Sequence, residues 1–405
     1  MIVRQFISWV RTAPAGERAD ATRALARAWL VSDLSEDDSA AAEGALLMLL
    51  DDPSPLVRQA MAEVFAWSEN APAAIVRALS CDQPNVALPI LEFSPLLVDA
   101  DLVDTVATGS GDVQCAIARR MHLPVSVCAA IAEVGSAAAV LELIENPQAS
   151  LLPLSLDRIA ERFGHLAAIR EALLAFEDLP SPTRLLLVGK LSETLAQFVT
   201  ARAWLTADRA GRVVSEACER STVNIAAQSS GDDMRNLLRH LRAAGQLTPG
   251  LILRALLSGN LELFVDSLVE LSGLPSARVH ALVQERRGSG LNALLQRAGL
   301  PVSTYPAFRA ALEARDEMGF AATIGGAARL RRRMVERVLT ACETNAEVTE
   351  PLLILLRRFA TESAREEARL FCDELTAESD YYDDNPIYAD EGIDADPVDA
   401  DLIAA

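Results

Sequence analysis

The chain has 405 residues, of which 51% are hydrophobic and only 5% aromatic, and its formal net charge is −20. This acidity argues against a nucleic-acid binder, because such a protein neutralises phosphates with lysine and arginine. Every apolar stretch is interrupted by polar side chains, so the sequence predicts no membrane span. Alanine and leucine dominate, and because both favour helices, we expect an all-α fold.

The N-terminal region, residues 1–50, reads as a helical cap. Amphipathic helices are predicted over residues 15–31 and 36–50. The residues before them have neither a long apolar run nor a cleavage site of small residues, so we expect no signal peptide and a cytoplasmic location.

Residues 51–150 contain a repeated pattern. Four valines occupy equivalent positions in successive units: Val57, Val86, Val113 and Val140. The steps between them are 29, 27 and 27 residues, and further helices are predicted between them over 73–80, 100–108 and 125–134. Two short helices per unit cannot bury their apolar faces alone. The pattern therefore predicts an α-solenoid of stacked helical hairpins.

The junctions between these helices carry residues typical of helix ends. Side chains that can accept hydrogen bonds from free N–H groups stand at helix starts: Asp82, Asn85, Asp112 and Ser136. Gly109, Gly111 and Gly135 suit the left-handed conformation that ends many helices.

One unit carries a more specific pattern. Asp52 precedes Arg58 by six residues, Val57 stands directly before the arginine, and Ala60 follows it. This order is typical of HEAT-type repeats, in which the aspartate and arginine side chains tie neighbouring hairpins together. Because the repeat is shorter than the HEAT unit of about 40 residues, we predict a HEAT-like solenoid.

The helical pattern continues less regularly after the repeats. We predict further hairpins over 151–245 and a C-terminal helical region over 246–376, in which short helices joined by glycine and proline precede longer ones. Residues 377–405 form an acidic tail without helical periodicity, and we expect this tail to be disordered.

Two groups of stretches carry a family resemblance. The first comprises residues 73–82, 91–97, 99–102, 116–120 and 143–146, and the second comprises 253–264 and 290–301. They are similar to an alphaproteobacterial family of HEAT-like proteins that is defined by a domain of unknown function. The resemblance covers roughly residues 15–375 and implies a cytoplasmic bacterial α-solenoid. It implies no activity and no functional residues, and the long acidic tail departs from it.

Residues that could support catalysis, metal binding or cofactor binding do not form recognisable motifs. The four histidines are scattered outside any nucleophile or metal motif: His122, His165, His240 and His280. Asp99 and Asp101 stand together at a predicted helix start, where capping explains them. The six cysteines include no Cys-x-x-Cys pair. Four lie in or beside apolar stretches and are expected to be buried thiols of a reducing compartment: Cys81, Cys115, Cys128 and Cys342.

A basic cluster allows two interpretations. It places four arginines within about one and a half helical turns: Arg329, Arg331, Arg332 and Arg333. They could bind an anion, such as a phosphorylated partner, a nucleotide second messenger or the acidic tail. Alternatively, they form a solvated face that is paired with nearby glutamates, and this second interpretation is favoured.

The acidic tail also allows two interpretations. Tyr381, Tyr382 and Tyr388 could anchor it to a partner while its carboxylates supply electrostatic attraction. The favoured alternative is a segment that keeps the protein in solution.

The predicted fold favours a non-enzymatic scaffold that binds a protein or peptide along stacked helices. Candidate contacts are polar side chains of the helices predicted in the repeats: Arg58, Glu92, Arg119, Arg120 and Glu142. A sensor of a small anionic ligand is the first alternative, and a HEAT-like enzyme or DNA-lesion binder is the second.

Overall fold

A computed structural model of the chain describes residues 6, 8–285, 289–318, 326–345 and 348–383. Within these residues the elements are helices and no β-strand occurs, which confirms the all-α prediction. None of the described helices combines the length and the apolar character needed to cross a bilayer. The contacts divide the chain into unit 1, Met1–Ser221, and unit 2, Thr222–Ala405.

Unit 1 is a succession of mostly short helices. In chain order they are α1 (Ala15–Val31), α2 (Glu36–Leu49), α3 (Pro55–Phe65), α4 (Ala73–Ser80), α5 (Pro84–Phe93), α6 (Asp99–Thr108), α7 (Gly111–Ala118), α8 (Val125–Val134), α9 (Ala137–Glu145), α10 (Pro153–Phe163), α11 (Ala167–Leu174) and α12 (Ser181–Ala201). The next helix, α13 (Ala207–Gln228), begins in unit 1 and extends past its boundary.

The helices of unit 1 pack in two rows, in which each helix contacts the next but one along the chain. The first row is α1, α3, α5, α7, α9 and α11, and the second is α6, α8, α10 and α12. Buried side chains from Ala19 to Leu187 form one continuous apolar core between them. In α3, for example, Val57, Met61 and Phe65 recur every four residues and are fully buried.

The turns between these helices follow from local chemistry. Proline opens several of the short helices, a position where its missing N–H is not needed. Ser136 caps α9 by accepting from the backbone N–H of Ala139, as its position predicts. The left-handed conformation expected at Gly109 and Gly135 is wrong, since both glycines are extended. A Cβ at Gly109 would lie 2.6 Å from Thr105 O, and a Cβ at Gly135 would lie 2.5 Å from Ile131 O. Glycine is needed at both positions because a side chain would not fit, not because φ is positive.

Arginine–aspartate pairs join successive members of the first row. Arg18 of α1 donates to both carboxylate oxygens of Asp52, each at 2.8 Å, just before α3 begins. Arg58 of α3 donates to both oxygens of Asp82, at 2.5 and 2.9 Å, just before α5 begins. The aspartate and the arginine of the predicted motif therefore each pair with a partner outside the motif. Asp52 and Arg58 meet only through the backbone carbonyl of Asp52, and each side chain binds a neighbour one step away.

Further along the rows, side chains satisfy the last carbonyls of the helix two positions earlier. Arg120, which follows α7, donates from Nη1 to Leu91 O at 2.5 Å and from Nη2 to Ser94 O at 2.6 Å. Asn146 makes the equivalent bonds to the end of α7, and Arg162 of α10 makes them to the end of α8. These bonds matter because the last four carbonyls of a helix have no partner within it.

Unit 2 is also helical. Its helices after α13 are α14 (Gly231–Ala243), α15 (Pro249–Leu257), α16 (Leu261–Ser272), α17 (Ser276–Gln284), α18 (Ser289–Arg297), a short 3-10 helix (Val302–Thr304), α19 (Tyr305–Met318), α20 (Gly326–Glu343) and α21 (Glu350–Asp383). A second apolar core lies among them. Arg254 of α15 joins the distant α21 by an ion pair with Glu362 at 2.8 Å, and its guanidinium lies 4.3 Å from the ring centroid of Phe359.

The end of α21 differs from the prediction. We expected the acidic tail to begin at residue 377, yet α21 continues to Asp383. The rest of the predicted tail, 384–405, lies outside the described residues.

The carbonyl-capping contact predicts unequal effects for two adjacent arginines. Arg120→Met leaves Leu91 O and Ser94 O without their donor, and each unmet buried acceptor costs roughly 1–3 kcal/mol. We expect this variant to lose about 2 kcal/mol or more of unfolding free energy in urea denaturation followed by circular dichroism. Arg119→Met is the matched control, since the Arg119 side chain is 46% exposed and its ion pair in the described structure is with Glu142 at the surface. Its loss should be about 0–1 kcal/mol. Equal losses would contradict the capping role.

The Arg58–Asp82 pair predicts a pH-dependent contribution to stability. The hydrogen bond from Arg58 lowers the pKa of Asp82. Ionised Asp82 therefore stabilises the fold above the ordinary aspartate pKa, and this contribution is lost as the pH falls through the lowered value. We expect Asp82→Asn to lower the melting temperature at pH 7 and the deficit to shrink below about pH 4. The exposed Asp33, in the turn before α2, is the control. A pH-independent deficit would contradict this assignment.

Candidate functional site

A pocket of about 410 Å³ opens in unit 1 where three turns between helices meet. The turn after α3, the turn after α5 and the turn after α7 each contribute lining residues, and the start of α6 completes the wall. Because α3, α5 and α7 are successive members of one row, their following turns lie side by side. The volume falls in the range of about 300–1,000 Å³ that small-ligand pockets occupy.

One wall of the pocket is apolar and aromatic. Trp67 and Phe93 stack with their ring centroids 4.0 Å apart and their planes 19° apart. Trp67 remains 63% exposed and Met121, across the pocket lining, remains 66% exposed. Stacking on Phe93 holds the indole in place, while most of its surface stays open to solvent.

The rest of the lining is strongly polar. Glu69, Glu92 and Asp99 contribute three carboxylates, and Arg120 and His122 complete the polar part of the lining. Within the described part of the chain, Glu69 and Glu92 accept no hydrogen bond, whereas Asp99 accepts one from a serine hydroxyl at 3.3 Å. The carboxylates therefore outnumber the cations around the pocket.

Glu92 is the most perturbed of these carboxylates. It is half-buried at the end of α5. Burial raises its pKa, Arg119 opposes that effect, and the like charge of Glu142 adds to it. The fold therefore favours the neutral form of Glu92 more than water does.

Arg120 is only 8% exposed although it lines the pocket. Burial lowers the pKa of its guanidinium. Its two Nη groups donate to Leu91 O and Ser94 O, whereas its buried Nε has no acceptor in the described structure.

The structure brings together three of the five predicted contact residues. Glu92, Arg119 and Glu142 belong to successive members of the first row, and Arg119 donates to Glu142 at 2.7 Å. Arg58 lies apart from them and is bound to Asp82, whereas Arg120 is buried in the wall of the pocket. We call Glu92, Arg119 and Glu142 the charge row.

Most arginines of the predicted anion patch pair with carboxylates of unit 2. Arg331 binds Glu366 at 2.8 Å, and Arg329 binds Glu367 at 3.3 Å. Arg332 binds both Glu336 and Glu367, at 2.7 and 3.1 Å. Arg333 is exposed. An anion would thus compete with carboxylates for three of the four guanidiniums.

The predicted tail anchors are only partly within the structure. Tyr381 and Tyr382 fall in the last turn of α21, and Tyr388 lies outside the described residues.

The cysteines that we expected to be buried divide into two groups. Cys128 and Cys342 are buried, and burial raises the pKa of the Cys342 thiol to about 11. Cys115 is half-buried, and Cys81 is exposed because it follows the last turn of the short helix α4. The expectation for Cys81 is therefore wrong. No group of three or more side chains suited to a metal ion occurs among the described residues.

Sequence reasoning missed the aromatic side of the pocket. Trp67, Glu69, Met121 and His122 lie in turns, which carry no helical periodicity. One signal was available: if the predicted helices stack as successive units, the residues that follow them lie near one another. Trp67 stands in such a turn and is followed by three polar residues, Ser68, Glu69 and Asn70.

A family model described as an uncharacterised protein conserved in bacteria (DUF2336) matches residues 86–347, more than half of the chain. The matched segment contains Glu92, Arg119 and Glu142 but begins after Trp67. No curated protein and no solved structure matches the chain.

Glu92 and Glu142 should have opposite effects on stability. The raised pKa of Glu92 means that its ionised form destabilises the fold above the ordinary glutamate pKa. The pKa of Glu142 is lowered by its hydrogen bond from Arg119, so its ionised form stabilises the fold. At pH 7 we expect Glu92→Gln to raise the melting temperature by roughly 1–2 °C and Glu142→Gln to lower it. Both differences should shrink below about pH 4. A destabilised Glu92→Gln variant would contradict the first assignment.

Proposed function

We propose that this chain, which belongs to the DUF2336 family of bacterial proteins, is a non-enzymatic scaffold that binds a protein or peptide. In this proposal unit 1 is a HEAT-like α-solenoid. The two rows of helices, each contacting the next but one, support it. So do the arginine–aspartate pairs that join successive helices of the first row. Stacked hairpins of this kind offer extended binding surfaces.

The exposed Trp67 in its pocket is the observation that carries the proposal. Tryptophan is enriched among the residues that dominate the energetics of protein interfaces, especially where it is rigid and lies beside a pocket. Trp67 meets both conditions, since it stacks on Phe93 and lines the pocket. Leaving so large an apolar group in water is unfavourable for the isolated chain, and a bound partner would relieve this.

The charge row extends the proposed surface beyond the pocket. Glu92 belongs to both, so a peptide that occupies the pocket could continue across α7 toward Arg119 and Glu142. Packed helices lie about 8–10 Å apart, so the surface from α5 to α9 spans roughly 16–20 Å. An extended peptide of about six residues covers that distance.

The state of the cysteines supports a location in the cytoplasm. The cysteines form no disulfide in the described structure, which is the state that a reducing compartment maintains. The sensor of a small anion receives no comparable support, because most arginines of the proposed anion patch already pair with glutamates.

Affinity capture from the native bacterium tests the scaffold proposal. Full-length wild type, Trp67→Ala and Trp204→Ala would each serve as bait, with recovered proteins measured by quantitative mass spectrometry. Trp204 is the matched control, since it is also 63% exposed in unit 1 and also contacts a phenylalanine. We expect at least one protein to be recovered with wild type and Trp204→Ala but to fall roughly tenfold or more with Trp67→Ala.

Circular dichroism and thermal melting of each bait establish that the variants fold. A partner lost equally with both variants would contradict a specific role for the pocket, and the absence of any protein enriched over an empty resin would contradict the scaffold proposal.

A further inference from the structure

The charges around the pocket favour a cationic group. Glu69 and Glu92 have no hydrogen-bond or ion-pair partner in the described structure, although both line one small pocket. The nearest arginines are committed elsewhere: Arg120 donates to backbone carbonyls, and Arg119 binds Glu142. A half-buried carboxylate without a partner is unfavourable, and a cation from a binding partner would supply one.

The aromatic wall narrows the choice of cation. Phe93 covers part of the Trp67 indole, and the 63% exposure of Trp67 leaves much of the ring accessible. Tryptophan gives the strongest cation–π contacts among the aromatic residues. A guanidinium group is planar, so it can stack on the indole while its edge donates two hydrogen bonds to a carboxylate. The combination of an indole with carboxylates therefore fits arginine better than lysine.

The apolar lining fits the rest of an arginine side chain. Leu102 and Met121 line the same pocket as the carboxylates. Arginine packs its methylene groups on apolar surface while its charged end reaches polar partners. A small inorganic cation would leave this lining unused.

We infer that the pocket binds an arginine residue of the protein partner. Its guanidinium stacks on Trp67 and pairs with Glu69 and Glu92. This inference rests on the proposed scaffold function, because it names the residue that the partner inserts.

Fluorine NMR of the full chain labelled with 5-fluorotryptophan tests the inference directly. The sequence contains four tryptophans, and loss of one signal in Trp67→Phe identifies the Trp67 resonance. The probe is N-acetyl-arginine methylamide, and the control probe is the citrulline analogue, which has nearly the same shape without the charge. We expect a saturable shift of the Trp67 resonance with the arginine probe and at least roughly fivefold weaker binding of the citrulline probe. The Trp204 resonance should not move.

Variants of the carboxylates provide the second measurement. Glu92→Gln and Glu69→Gln should each weaken binding of the arginine probe about threefold or more. Glu133→Gln is the control, since Glu133 is an exposed carboxylate of unit 1 that pairs with Arg158 outside the pocket. Equal affinity for both probes, no shift of Trp67, or affinities that ignore the carboxylates would overturn the inference.

The two experiments separate the inference from the function on which it rests. The titration needs no partner protein, and the capture experiment assumes no particular side chain in the pocket. A captured protein that depends on Trp67, together with a Trp67 resonance indifferent to arginine, would keep the scaffold and reject the arginine. An arginine-specific shift without any captured protein would support the pocket chemistry and count against the scaffold.

Discussion

The contact between each helix and the next but one is the constraint on which unit 1 depends. Helix α7 has only eight residues, so its last four carbonyls, half of its total, lack partners within the helix. A helix this short also cannot bury its apolar face alone. Two neighbours meet these needs. The backbone N–H groups of Arg119 and Arg120 donate to Cys115 O and Ile117 O. Helix α9 covers the apolar face of α7, and Asn146 beyond it donates to the carbonyls of Ala118 and Arg120.

The same contact builds the candidate site. Stacking α3, α5 and α7 brings the turns that follow them into one place, so residues far apart in sequence share a pocket. Two adjacent arginines serve the site and the helix packing. Arg119 lies at the surface in the charge row. Arg120 turns inward, donates to carbonyls at the end of α5 and lines the pocket.

The periodic spacing of apolar residues predicted the helices, which are the part of the fold that this spacing determines. The valines that the spacing picked out are buried, at 0% exposure for Val57, Val86 and Val140. The aspartate–arginine pattern was expected to tie hairpins together, but the sequence does not show that Arg58 reaches forward to Asp82. Gly109 and Gly135 were identified as helix ends, but what they need is the absence of a Cβ rather than a positive φ. The pocket escaped prediction because turns supply its aromatic wall, and turns have no periodicity.

The setting of Glu92 argues that the pocket is not merely a by-product of stacking. The buried Asp52 and the half-buried Asp82, just before helices of the first row, each pair with an arginine. Among the described residues no arginine forms a hydrogen bond or ion pair with Glu92, and burial raises its pKa although the charge of Arg119 opposes this. Beside it stands Trp67, a large apolar ring left in water. Stacking the helices requires neither feature, and both are unfavourable in the isolated chain. Two such features at one pocket are what a partner-binding surface would require and what stability alone would not.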